Sequence, residues 1–313
     1  MDYQQIQDKA RELIQEGNYE ALIDLYIDAL EYDFPNSVQG EFLSALGELF
    51  GHFGDKQKAI DHYSAALEIF RGEESKEGKG DYFAVMAAVA NNLGILHEEM
   101  NDDGNAADRF KEAMENYEKL AERKPDAYRP YVGTTYYNLG NLFGKKPDYY
   151  QSRKYFQKSY EVFKELAEAN PDHYDGYVAN ALISLGNSYI EEHDYANAEV
   201  YFKRAVTLYR VLTEKSFETF APYLAATLNN LAVACKNTKQ QDKAVGFYQE
   251  TLELYNQLVE VNQGAFLPYR AGTLNSMGIL FLEMHDNDEA INFYERAIED
   301  YEKLSDHQPD TFN

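Results

Sequence analysis

The chain has 313 residues, 54 of them acidic and 29 basic, for a formal net charge of −25. That surplus of carboxylates excludes nucleic acid as the main ligand, because phosphate recognition needs cations, and it disfavours an anionic membrane surface for the same reason. Hydrophobic residues are 44% of the sequence, enough for an extended core and too many for a disordered chain. No apolar run approaches the roughly 18 residues of a membrane-spanning helix. The beginning, MDYQQIQDKA, has neither the basic nor the apolar segment of a signal peptide. The single cysteine, Cys235, has no partner for an internal disulfide, which suits a cytoplasmic protein. The acidic residues are scattered rather than massed, so the plain consequence of the charge is solubility.

The chain repeats itself. The first copy, residues 3–39, is degenerate: Lys9-Ala10, the turn Gly17-Asn18, then Tyr26 and Ala29. The second, 40–79, has Leu46-Gly47, the turn Gly54-Asp55, then Ala59, Tyr63 and Ala66. It ends in Gly72 to Lys79, read as a flexible linker. The third, 80–125, has Leu93-Gly94, the turn Asp102-Asp103-Gly104, then Ala106, Phe110, Ala113, Tyr117 and Leu120. The fourth, 126–171, repeats this with Leu139-Gly140, Lys146-Pro147-Asp148, Ser152, Phe156, Ser159, Phe163 and Leu166. The fifth, 172–217, has Leu185-Gly186, Ala198, Phe202, Ala205, Tyr209 and Leu212. The sixth, 218–263, has Leu231-Ala232, Ala244, Tyr248, Thr251, Tyr255 and Leu258. The seventh, 264–309, has Met277-Gly278, Asp286-Asn287, Ala290, Tyr294, Ala297, Tyr301 and Leu304. From Leu93 onward each column advances by 46 residues.

Within a copy the spacing is helical. Leu182, Leu185, Gly186 and Tyr189 fall at i, i+3, i+4 and i+7, and Ala198, Phe202, Ala205 and Tyr209 fall on one helix face likewise. The polar stretch Glu191 to Asp194 lies between them. Each copy is therefore predicted to be two antiparallel helices joined by a tight turn. A glycine inside a helix costs about 0.8–1 kcal/mol relative to alanine, so the recurrent Gly implies close approach of the facing helix. Helix-stopping signals stand at Lys124-Pro125-Asp126, Asn170-Pro171-Asp172 and Gln308-Pro309-Asp310. An aromatic follows each inter-copy turn (Tyr82, Tyr128, Tyr174, Phe220, Phe266), and Tyr131, Tyr177, Tyr223 or Tyr269 comes three residues after the last four. Three of these tyrosines follow Pro130, Pro222 and Pro268, which predicts that those first helices begin near the proline.

The combination Leu185-Gly186-Tyr189-Ala198-Phe202-Ala205 resembles the tetratricopeptide repeat. The segment Thr227 to Val233, TLNNLAV, looks like the long-repeat kinesin light chain variety. The resemblance covers essentially the whole chain and implies one all-α, right-handed superhelical solenoid of about seven helix-turn-helix repeats over 1–313. It also implies that first helices line a concave groove that binds peptide segments of other proteins, an inference from fold rather than from chemistry.

On that geometry the positions two before and two after the motif Leu face the groove. They are Asn91 and Ile95, Tyr137 and Asn141, Ile183 and Asn187, Asn229 and Val233, and Asn275 and Ile279, with Asn180 and Thr134 one turn earlier. Asparagine both donates and accepts and is a poor helix former, so its recurrence suggests use. The amides either bridge neighbouring first helices as a ladder or do so and also touch a ligand. Tyr131, Tyr177, Tyr223 and Tyr269 stand near the rim, either packing between copies or offering a recognition surface. Lys145 and Lys236 lie near helix ends, too far from the centre for a carboxylate clamp.

Gly72 to Lys79 has the wrong spacing for a phosphate-binding loop, and His97-Glu98-Glu99-Met100 lacks the second His of a zinc helix. His193 and His285 fall in equivalent turns and are expected to be exposed; Cys235 falls in the packing column of Tyr189 and is expected to be buried. No catalytic, metal or cofactor set stands out, so no enzyme activity and no cofactor are expected. The expected partner is a protein or peptide, basic or polar in character. Phe293, Ile298, Tyr301 and Leu304 would be partly bare, which raises self-association as the alternative. A peptide-responsive sensor with its effector elsewhere is the further alternative.

Overall fold

A computed structural model describes residues 1–77, 82–145 and 148–307. Among the described residues there are fourteen helices and no strand. They are α1 Tyr3–Glu16, α2 Tyr19–Ala29, α3 Asn36–His52, α4 Lys56–Glu77, α5 Phe83–Glu99, α6 Asp103–Arg123 and α7 Pro125–Lys145. There follow α8 Tyr149–Ala169, α9 Pro171–Glu191, α10 Tyr195–Lys215, α11 Phe217–Asn237, α12 Gln241–Val261, α13 Gln263–Glu283 and α14 Asn287–His307. The chain divides into two compact units, Met1–Asp148 with α1 to α7 and Tyr149–Asn313 with α8 to α14, and within each unit consecutive helices pack antiparallel.

The 46-residue step has a simple origin. In the fifth pair, two helices of 21 residues enclose a three-residue turn, and one extended residue, Ser216, leads to the next pair. Lys124, Asn170 and Asn262 are the same single-residue links elsewhere, with extended or near-extended backbone. The turn inside each pair is also one device. Its next-to-last residue is left-handed: Gly17, Gly54, Asn101, His193, Lys239 and His285 all have positive φ. The next amide reaches five residues back, as in Asp102 N to His97 O at 2.8 Å and Asp194 N to Tyr189 O at 2.9 Å. The residue that closes the turn then caps the second helix. Asn18, Asp55, Asp102, Asp194 and Asp286 each accept from the amide three residues on. The turn at Lys146-Pro147 lies outside the described residues.

The small-residue columns are where the pairs close. A Cβ built on Gly47, Gly94, Gly186 or Gly278 would sit 2.5–2.7 Å from the ring of Tyr63, Phe110, Phe202 or Tyr294 respectively. These rings come from the second helix of the same pair, and Phe110 and Phe202 are completely buried. Ala106, Ala113, Ala198 and Ala205 are buried beside them. Small against large, repeated pair by pair, lets the two helices of a pair pack closely.

Three expectations are corrected. Pro130, Pro222 and Pro268 do not start their helices but lie at the sixth position of α7, α11 and α13. The starts lie earlier because Pro125 is itself the first helical residue of α7, and because Ser216 and Asn262 provide the extended cap for α11 and α13. A proline one turn in removes a single backbone bond, to a carbonyl still in the first turn. The linker reading of Gly72 to Lys79 fails over its first part, since α4 continues to Glu77; that stretch is rich in Glu and Lys, good helix formers. Residues 78 and 79 lie outside the described set, as does the signal Gln308-Pro309-Asp310. On α14, Phe293 and Leu304 are buried, whereas Ile298 and Tyr301 are 55% and 43% exposed.

Candidate functional site

The first helices carry two rows of side chains that the core does not absorb. The first is the amide row. In the N-terminal unit, Asn91 of α5 is half-buried and accepts a bond from Asn138 Nδ2 of α7 at 3.2 Å. Tyr137 and Asn141 of α7 are half-buried beside it. In the C-terminal unit, exposed Asn187 of α9 accepts from Asn230 Nδ2 of α11 at 3.3 Å. Asn180 accepts from the buried Tyr209 hydroxyl at 2.6 Å. Asn229 and Asn275 make no hydrogen bond among the described residues, and Asn275 is exposed. Neighbouring first helices are thus joined amide to amide. Each bond uses the acceptor oxygen of Asn91 or Asn187 and leaves its NH2 donors over.

The column immediately before the motif Leu was missed in the sequence. It holds Asn92, Asn138, Ser184, Asn230 and Ser276. Where the preceding pair has a tyrosine in its ring column, this residue meets the hydroxyl: Asn92 with Tyr63 at 3.1 Å, and Ser276 with Tyr248. Where that ring is Phe110 or Phe202, the amides Asn138 and Asn230 have no hydroxyl to meet and bridge to the neighbouring Asn instead. The two columns do not covary in the sequence, since Asn follows Tyr63, Phe110 and Phe202 while Ser follows Phe156 and Tyr248, so only the inter-helix contacts show which residue meets a hydroxyl and which bridges to an amide.

The second row is tyrosine. Tyr131, Tyr177, Tyr223 and Tyr269 are between 45% and 60% exposed. Each stacks on a buried ring of the preceding second helix: Tyr131 on Tyr117 at 5.1 Å, Tyr177 on Phe163 at 4.7 Å, Tyr223 on Tyr209 at 5.7 Å and Tyr269 on Tyr255 at 5.9 Å. The interplanar angles are 10–22°. One face of each ring seals the junction, in line with the packing reading, and the rest of the ring is open to solvent.

The lysines near this surface are committed. Lys145 pairs with Glu98 at 2.7 Å and Lys236 with Glu283 at 3.1 Å, each tying one first helix to its neighbour. His193 and His285 are exposed, as expected. Cys235 is fully buried, and burial pushes its thiol up to about 11, which keeps it protonated and unreactive near neutral pH. No group of three or more His, Cys, Asp or Glu among the described residues is arranged to hold a metal ion. No described helix is long and apolar enough to cross a membrane.

Burial also raises the hydroxyls of Tyr63, Tyr117, Tyr248 and Tyr255 to about 12. The folded chain therefore keeps protons that the unfolded chain releases near pH 10. Stability is full below pH 10 and falls as pH rises toward 12, by about 1.4 kcal/mol per pH unit for each tyrosine that stays protonated. Helical circular dichroism followed from pH 8 to 12 should show cooperative loss above pH 10, ahead of any loss in the four-site Tyr→Phe variant. Coincident curves would refute this account.

The family model for the tetratricopeptide repeat matches residues 131–211, 177–257 and 246–303, and a second model of the same description matches 8–74. No curated protein matches the sequence. Among solved structures, BtubC (BKLC) from P. vanneervenii is 18% identical, with a TM-score of 0.60 over 77% of this chain and 90% of that one. Apo RapI is 14% identical, with a TM-score of 0.57 over 98% and 100%. The STAND ATPase PH0952 from Pyrococcus horikoshii, described as having a tetratricopeptide repeat sensor, is 15% identical with a TM-score of 0.71, over 97% of this chain and 42% of that one. At these identities the likeness is one of fold, and it does not single out the kinesin light chain variety. By the matched repeats and the architecture together, the chain belongs to the tetratricopeptide repeat family.

Proposed function

We infer that the protein is a non-enzymatic protein-interaction scaffold whose first-helix surface holds an extended segment of a partner. The observation that supports this most is the amide row of the C-terminal unit. Asn187 keeps its donors after bonding Asn230, and Asn229 and Asn275 make no hydrogen bond among the described residues. Amides placed this way can bond a peptide backbone with little regard to its side chains. Tyr177, Tyr223 and Tyr269 lie on the same helices, held rigid by their stacks, and offer contact area at small entropic cost. A polar or basic segment suits a chain of net charge −25.

The test is capture from the source lysate by wild type and by the Asn187→Ala/Asn229→Ala variant, followed by titration of the segment identified. A segment bound about 10-fold more weakly by the variant, roughly 1.4 kcal/mol, supports the reading. Equal binding moves the site off this surface. The alternative, self-association, rests on exposed Ile298 and Tyr301 of α14, whose counterparts Leu252 and Tyr255 in α12 are buried. Concentration-dependent light scattering that disappears in Ile298→Glu would favour it.

A further inference from the structure

One notch in the C-terminal unit has no role in that surface. It is an open cavity of about 420 Å³ between the second helices α8 and α10, floored by α9. Its existence follows from a local break in the repeat. At two other junctions an ion pair welds one second helix to the next: Arg71 Nε to Glu112 Oε1 at 3.0 Å, and Arg210 Nη2 to Glu250 Oε2 at 2.7 Å. These are the same two columns, 46 or 47 residues apart. Between α8 and α10 the columns hold Lys164 and Arg204. Two cations cannot close a junction, and both line the cavity instead. Lys164 makes no ion pair among the described residues. Arg204 turns its guanidinium onto Tyr160, bonding its hydroxyl and lying 4.9 Å from the ring centre.

The rest of the lining completes a polarity. Ala167, Val178, Leu182 and Leu208 are apolar. Glu168 follows Lys164 by one helical turn, and Asp175 comes from the start of α9, which runs antiparallel to α8 and so lies at the Glu168 end. Burial pushes the Asp175 carboxyl up, with Lys215 opposing the shift and Asp172 adding to it. An under-solvated carboxylate of this kind gains from a cation beside it. The cavity is thus basic at one end, acidic at the other and apolar between. The backbone positions of Lys164 and Glu168 are separated by about 6 Å of helix rise. A free dipeptide spans about 7 Å and carries opposite charges at its two ends.

We propose that the notch formed by Lys164, Arg204, Glu168 and Asp175 is a binding site for a short zwitterionic peptide with apolar side chains. Its carboxylate lies against Lys164 and Arg204, its ammonium against Glu168 and Asp175, and its side chains over Val178, Leu182 and Leu208. This site is independent of the first-helix amides and tyrosines.

The experiment is calorimetric titration of the full chain with leucyl-leucine, its N-acetyl and C-amide forms, and octanoate. Leucyl-leucine should bind, and each form lacking one charge should bind at least about 10-fold more weakly, the loss of one charge-assisted contact. Lys164→Glu places a carboxylate opposite Arg204, a complementary pair of reversed polarity to those at the other two junctions. It should abolish binding and raise the melting temperature, so loss of the site is not loss of the fold. Asn187→Ala/Asn229→Ala should leave dipeptide binding unchanged, which separates this site from the groove. No heat with wild type up to about 5 mM dipeptide, octanoate binding as tightly as leucyl-leucine, or undiminished binding by Lys164→Glu would each overturn the assignment.

Discussion

Phe202→Ala is expected to destabilise the protein by about 3–5 kcal/mol, measured as a shift in the denaturant midpoint at unchanged helix content. The ring is fully buried and belongs to a core cluster of the C-terminal unit that includes Ala179, Tyr209, Leu231 and Tyr248. It also sets the spacing of its own pair, since a Cβ on Gly186 would fall 2.6 Å from its Cε1. Gly186→Ala should therefore destabilise as well. Overpacking costs about 1–3 kcal/mol, and the better helix propensity of alanine returns up to about 1 kcal/mol, leaving a net loss of up to about 2 kcal/mol. Because both changes act on one contact, Gly186→Ala should cost less in a Phe202→Leu background. Additive losses would mean that ring and glycine do not press on each other. In the sixth pair the native residue at this position is the buried Ala232, so Ala232→Gly should destabilise rather than relieve, by about 1 kcal/mol.

The Arg270–Asp300 pair should produce the other large effect. Arg270 stands in a column otherwise filled by Met86, Val132, Val178 and Leu224, all buried, and Asp300 follows Leu208 and Leu254 in its own column. An apolar contact between the two helices of a pair is here a bidentate ion pair, Nη2–Oδ1 at 2.7 Å and Nε–Oδ2 at 2.8 Å, with Asp300 only 3% exposed. Arg270 also donates to Asn256 Oδ1 at 3.1 Å. Asp300→Ala leaves the guanidinium without its counter-charge and should cost about 3–5 kcal/mol. Arg270→Leu together with Asp300→Leu restores the residues of the sixth pair and should be neutral or stabilising, by up to about 4 kcal/mol. If the double variant were as unstable as the single one, the ion pair would be a net source of stability rather than a requirement for matched partners.

The all-helical class, the seven copies and the pairing of helices were legible in the sequence. The physical reason is that a repeat displays its own packing constraints. A side chain that must be small opposite a ring is small in every copy, so Gly94, Gly186 and Gly278 announce Phe110, Phe202 and Tyr294 across the turn. Helix starts were less legible. Pro130, Pro222 and Pro268 looked like first residues, yet the caps five or six residues earlier govern, because one missing amide in an early turn is cheaper than a lost turn.

Only the tertiary structure decided which polar side chains are already occupied. Asn91 and Asn187 read the same as Asn229 and Asn275 in the chain, but the first two accept from amides on a neighbouring first helix. The tyrosine row likewise joined two readings that the sequence held apart, since one face of each ring packs and the rest is exposed. The dibasic notch at Lys164 and Arg204 is written in two columns forty residues apart, and only the contact of α8 with α10 makes the two charges neighbours. Periodicity specifies what each helix buries because burial recurs with the repeat. What the surface binds depends on contacts between copies, where single departures from the repeat carry the information.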